Sequence, residues 1–374
     1  MKGVSNTRRL AGVCFCTTFI IACATPPQTR LLLAEPPASL PVRVELNATP
    51  FYPQQRYQCG PAALATVLGA HAVDVTPEKL VTAVFVPALH GSLPEEITAT
   101  ARRYGMLAYP LQPSLANLVS EVAQGNPVLV FQNLGTRWFP RWHFAVVVGY
   151  DLATHEVILR SGTSRRWHTT LATLERTWSR SGYWALVILP AGHIPVTALP
   201  DRYLQAAHDL EASDQAAAAL VAWRAAIHRW PDNPRAWMAY GNNLYAAAAY
   251  GQAETAFRKA VMLAPGNPQG WNNLAYALLH TACPRQAQKA ASCAAGLAPE
   301  SPNYQDTVEE INARGHGDDA PHCIPVDCMP AADPPGVLQH GSSPVPDVTL
   351  LNKTRHDYGV ISGPLNDKAG PPLC

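Results

Sequence analysis

Cys59 stands immediately before Gly60-Pro61-Ala62-Ala63-Leu64, the start of a small-residue pattern that predicts a helix over 60–70. At the amino end of a helix the unpaired N–H groups and the macrodipole favour negative charge, so a thiol placed there ionises readily. A thiolate is a competent nucleophile near neutral pH. His143 follows 84 residues later, in the apolar run Trp142-His143-Phe144-Ala145-Val146-Val147-Val148-Gly149-Tyr150. A histidine at the start of such a strand can face a helix terminus across a cleft and act as base for the thiol. Taken singly, each residue has a plainer explanation, a buried or disulfide-bonded cysteine and a satisfied strand-end histidine. The pair carries the chemistry.

Residues 46–197 supply the elements that must hold this pair. Ser92-Leu93-Pro94-Glu95 predicts a helix start with Ser92 as N-cap and an early proline. Ser114–Gly125 predicts an amphipathic helix ending on glycine. Strands are expected at 127–132, 143–150, 157–159 and 183–189. Helices first and strands later indicate an α+β domain with a mostly antiparallel sheet. The aromatic stretch Trp138-Phe139-Pro140-Arg141-Trp142 either lines a substrate groove or packs over the sheet. Asp151 reads as a turn residue.

The order Gln, then Cys on a helix, then His on a strand resembles a papain-like cysteine peptidase. More narrowly, the domain is similar to the bacteriocin-processing, double-glycine-leader type. The matching parts are Gln54, Cys59-Gly60-Pro61-Ala62-Ala63-Leu64, Gly125-Asn126-Pro127-Val128-Leu129-Val130 and His143-Phe144-Ala145-Val146-Val147-Val148-Gly149-Tyr150-Asp151. The resemblance implies Cys59 as nucleophile, His143 as general base and acid, and a glutamine in the oxyanion hole. It departs from the family's pattern in two places. Pro53 occupies the usual place of the oxyanion glutamine, which leaves Gln54, or Gln55, to supply it, with Gln54 preferred. Ser161, in Leu159-Arg160-Ser161-Gly162, occupies the place of the aspartate that orients the histidine. A hydroxyl can accept from the imidazole N–H but brings no charge to stabilise imidazolium, and loss of that carboxylate costs orders of magnitude in rate. Three readings follow: an active peptidase, an idle peptidase-like scaffold that grips an extended segment, and an amide-transfer enzyme using the same pair.

From residue 200 the chain repeats itself every 34 residues. Tyr203, Trp237 and Trp271 share one column; Ala207, Gly241 and Ala275 the next; Leu210, Leu244 and Leu278 a third. Ala219, Ala253 and Ala287, then Trp223, Phe257 and Ala291, then Ala226, Ala260 and Ala294 follow in register, and Pro231, Pro265 and Pro299 close the units. This resembles the tetratricopeptide repeat, an all-α solenoid that implies docking of a protein partner or substrate. Three repeats and a capping helix are expected over 200–315.

At the other end, Lys2, Arg8 and Arg9 precede an apolar run of about a dozen residues, too short for a bilayer span and suited to a signal peptide over 1–22. Ile20-Ile21-Ala22-Cys23 resembles the bacterial lipobox, which implies lipidation of Cys23. Ala24 in place of aspartate implies an outer-membrane address facing the periplasm, with residues 23–45 as anchor and spacer. Residues 316–374, holding ten of the 35 prolines, read as a flexible tail. There Cys323 and Cys328 could close a small disulfide, while Cys283 and Cys293 stand too far apart to bridge each other. A net charge of +1 on 374 residues gives no bulk attraction to nucleic acid or to anionic lipid. The histidines show no metal spacing and no phosphate-cradling glycine loop is present, so neither metal nor cofactor is expected.

Overall fold

The computed structural model describes residues 25–315 and 317–328. The chain runs through α1 (Pro27–Ala34), β1 (Arg43–Glu45), α2 (Cys59–Ala70), α3 (Pro77–Val84), the short pair β2 (Phe85–Val86) and β3 (Gly91–Ser92), and α4 (Pro94–Arg103). It continues through β4 (Met106–Pro110), α5 (Leu115–Ala123), β5 (Val128–Asn133), β6 (Trp142–Asp151), β7 (Glu156–Ser161), β8 (Ser164–Thr170), α6 (Leu171–Ser179) and β9 (Ala185–Pro190). The main sheet has the order β4-β9-β5-β6-β7-β8, with β1 added against β6. Its pairings are antiparallel.

The sheet is covered on both faces, which explains why β5 is an unbroken apolar run before its polar end. Leu129, Phe131, Phe144 and Val146 point into one core with Leu64, Leu68 and Ile97 of α2 and α4. Val128, Val130, Ala145 and Val147 point into the other with Leu118, Val122, Leu174 and Trp178 of α5 and α6. Alternate residues of one strand thus serve two layers, as the period of two requires.

Several elements differ from expectation. Residues 27–34, expected as spacer, form a docked helix in which Thr29 and Leu32 are buried. The buried Glu175 carboxylate accepts from the backbone N of Gln28 and Thr29 at the start of α1, satisfying N–H groups that no turn precedes. Ser92 does not cap α4. Leu93 holds the N-cap position without a side-chain bond, and the Ser92 side chain is buried. Strand β4 separates α4 from α5, and β8 with α6 follows β7, where too few apolar alternations announced them.

Beyond Pro190 the chain forms helical hairpins: α7 (Pro200–Glu211) with α8 (Ala216–Arg229), α9 (Pro234–Ala246) with α10 (Tyr250–Leu263), and α11 (Pro268–His280) with α12 (Pro284–Leu297), followed by α13 (Pro302–Arg314). The prolines at 200, 234, 268 and 302 each open a helix, where a missing N–H costs nothing. Asp214, Ala248 and Ala282, also 34 apart, turn each hairpin with φ of 60°, 58° and 58°. The first hairpin joins the sheet domain directly: Tyr203, Leu204 and Trp223 share the core of α5, β4 and β9, and Arg102 pairs with Asp209 at 2.5 Å.

Residues 317–328 are not a loose tail. They run back across the last repeat, bound by disulfides Cys283–Cys323 and Cys293–Cys328. The Cys323–Cys328 bridge that the spacing allowed is therefore not formed, because Cys323 is paired with Cys283 and Cys328 with Cys293. Asp319 accepts from the backbone N of Arg285 at the start of α12, and Arg258 of α10 donates to the carbonyl of Ile324. The rest of the expected tail, and the expected signal and Cys23, lie outside the described residues. Among the described residues no helix is long and apolar enough to cross a membrane.

Candidate active site

Cys59 is the first residue of α2 and is almost wholly buried. Its Sγ accepts from the backbone N of Phe144 at 3.4 Å, which fixes the start of α2 against the start of β6. Gly60 is required at the next position, because a Cβ there would strike the Ser92 side chain. The entering turn is strained: Tyr57 sits at φ 65°, a left-handed conformation that a bulky residue rarely adopts. Such outliers persist where the surroundings impose them, often beside functional groups. Cys59 is disulfide-bonded in this structure, so nucleophilic chemistry belongs to its reduced form.

His143 is adjacent to Phe144 on β6, and its register partner on β5 is Gln132. Its Nε2 lies 2.8 Å from Ser161 Oγ on β7. Ser161 engages Nε2, so Nδ1 is the ring nitrogen not paired with it. Burial, and secondarily the Arg141 guanidinium, push the imidazole down to about 4, so it is neutral at pH 7 and able to accept a proton. Gln54 reaches the same place: its Nε2 is 3.5 Å from the carbonyl of Phe144, and its backbone N donates to Gly162 at 3.0 Å. Gln54 and Cys59 on one side, and His143 and Ser161 some 84 or more residues later, are thus assembled at one end of the sheet.

Asp151 lies elsewhere. It accepts from Ala153 and Thr154 in the β6–β7 turn, eight residues along the strand from His143, or about 26 Å. Of the aromatic stretch, Trp142 stacks on Phe131 at 5.2 Å over the sheet, whereas Trp138 and Phe139 project into solvent. Sequence reasoning missed Arg160. This buried guanidinium donates to the carbonyls of Leu46, Thr49 and Arg165, fastening the segment ahead of Gln54 to β7 beside Ser161. Its only signal was a charge inside an apolar strand. Cys283, His322 and Cys323 approach one another closely enough to suggest metal ligands, but both sulfurs are taken by their mutual disulfide.

Residues 46–186 match the model of the Peptidase_C39 like family. The matched span takes in Gln54, Cys59, His143 and Ser161 and ends within β9. Among solved structures the chain is similar to a C39-like peptidase from Bacillus anthracis, at 18% identity over 39% of this chain and 97% of that one, with a TM-score of 0.33. It is also similar to a double-glycine-motif protease from an AMS/PCAT transporter, solved with its leader peptide, at 20% identity over 38% and 91%, TM-score 0.30. The Sgt2 TPR domain from Aspergillus fumigatus is similar at 15% identity over 33% and 90%, TM-score 0.29. No curated protein matches.

Proposed function

We propose that this protein is a cysteine peptidase held by a lipid on Cys23 at a bacterial membrane, the outer membrane on its periplasmic side. The observation that carries the catalytic reading is the junction of α2 with β6, where the Cys59 sulfur at a helix terminus lies against the residue following His143. Reduced Cys59 attacks the carbonyl carbon of a peptide bond, and His143 takes the thiol proton through Nδ1. The tetrahedral oxyanion is met by orphan N–H groups of the first turn of α2 and by the Gln54 amide, the kind of donor worth about 2.7–4 kcal/mol of barrier. His143 then protonates the leaving amine, the C–N bond breaks and an acyl-thioester remains. Water, deprotonated by the same imidazole, releases the acid. The helical repeats present the substrate or a protein partner to this end of the molecule.

The test is a thiol-reactive, amide-mimicking probe applied to the reduced chain across pH. Cys59 should react faster than an exposed thiol, and His143→Ala should remove the advantage. Equal rates in both proteins would refute catalysis. Release of Cys23→Ser into the soluble fraction would support the anchor, and continued membrane retention would sink it.

One observation favours a second reading. Among the described residues Ser161, not a carboxylate, faces the imidazole, which fits a domain that grips an extended segment as a scaffold. In that case the probe labels Cys59 slowly while a peptide ligand still binds.

A further inference from the structure

The strand registers define one end of the sheet domain. Phe131–Asn133 of β5 lie opposite Phe144–Trp142 of β6, β9 begins beside Val130, and β4 ends opposite Leu186. Cys59 and His143 are at that end. The hairpin loop 134–141 projects beyond them and is firmly built: Asn133 Oδ1 accepts from the backbone N of Gly135 and Arg141, and Leu134 N donates to the carbonyl of Arg141. This ordered tip holds Trp138 and Phe139 in water at 84% and 81% exposure, the highest values among the large apolar side chains described, with Leu134 beside them at 50%.

The tip is also basic. Residues 134–141 contain Arg137 and Arg141 and no carboxylate; residues 176–184 contain Arg176 and Arg180 and no carboxylate. Arg180 donates to the carbonyl of Gly135, so the two segments form one surface. The acidic residues at the start of α4, Glu95 and Glu96, lie beside the start of α2 at this same end, on the opposite face of the sheet from α6.

The chain enters the fold at this same end. Gln28 donates to the carbonyl of Pro113 and accepts from Leu115 N, just past β4, and Glu175 of α6 caps the first turn of α1. Glu175 precedes Arg180 by five residues, about 7.5 Å of helix. The N-terminal entry, the aromatic tip and the Cys–His pair therefore share one end of the domain.

We propose that this end rests on an anionic lipid bilayer, with Trp138 and Phe139 seated at the boundary of headgroups and acyl chains and Arg137, Arg141 and Arg180 against the phosphates. Aromatic rings belong at that depth, and each nearby guanidinium adds attraction to an anionic surface. This extends the anchored-peptidase reading, and it specifies the substrate: a peptide segment presented at the membrane surface rather than one diffusing in bulk solution.

The test uses the chain from Ala24 to Cys374, made without lipid, in flotation with phosphatidylcholine vesicles with or without phosphatidylglycerol. It should float with the anionic vesicles roughly 30- to 150-fold better than with the neutral ones, the scale expected for two or three surface arginines. W138A/F139A should abolish most of that binding, and R137Q/R141Q should remove most of its dependence on phosphatidylglycerol, leaving the share that Arg180 supplies. Both sets of side chains are outside the cores, so unchanged circular dichroism and melting will certify folding. No flotation, or flotation indifferent to W138A/F139A, would overturn the proposal. So would loss of cleavage of a soluble peptide by W138A/F139A with lipid binding intact, which would make the tip a substrate lip. A protein that floats but does not cleave refutes the peptidase reading alone; one that cleaves but does not float refutes this one alone.

Discussion

At the scale of single residues, the proposed peptidase reading makes Ser161 the residue that limits the rate of the Cys59–His143 pair. A hydroxyl 2.8 Å from Nε2 fixes the ring without stabilising its charged form. Ser161→Asp should therefore raise kcat by about tenfold or more, and Ser161→Ala should lower it, both measured on the reduced enzyme. The pH profile follows from the buried imidazole. Its folded value near 4 lies below the ordinary one, so the native state binds fewer protons than the unfolded state between those values. Stability held above the ordinary imidazole range is accordingly lost as pH falls toward 4, and His143→Gln should flatten that part of a melting-temperature profile. The acid limb of kcat/KM should likewise fall near 4 and move upward in Ser161→Asp, whose carboxylate favours imidazolium. Cys59 and His143 were legible from sequence as a pair, a cysteine before a helix and a histidine opening an apolar strand, not as single residues. Gln54 and Ser161 were legible only through family resemblance, since a lone Gln or Ser carries no periodic signal. Arg160 was hidden because its three acceptors are backbone carbonyls distant in sequence.

At the scale of elements, close helix approach explains the repeat columns. A Cβ at Gly241 would run into the Phe257 ring, so the small and large columns are complementary within one hairpin. Gly241→Ala should destabilise the repeats by about 1–3 kcal/mol in urea denaturation, despite alanine's better helix propensity. The 34-residue period made the repeat units and their closing prolines readable, because three copies averaged out local noise. Single copies were harder. Helix α1 was hidden because its burial depends on Glu175, 146 residues away. Strand β8, largely exposed and carrying Arg165, Arg166 and His168, shows no apolar alternation and is held instead by its ladder to β7.

At the scale of the whole molecule, the sheet domain and the first hairpin share one core, so the repeats are fixed relative to the Cys–His end rather than strung on a linker. Covalent closure reinforces the far end. The bridges span 40 and 35 residues, and loop closure of that size stabilises by about 4 kcal/mol in the chain-entropy description. The double variant Cys293→Ser/Cys328→Ser should melt the last repeat earlier while leaving the sheet domain's transition in place, read by urea titration with intrinsic fluorescence. The Cys293–Cys328 ring encloses α13, and this has a mechanical consequence. A pull on the chain beyond residue 328 enters the fold at Cys328 and passes straight into α12 through a covalent bond. Helix α13 is bypassed and carries no load, so the solenoid resists tension at its end like a rope with a spliced eye, not like a thread that unravels turn by turn.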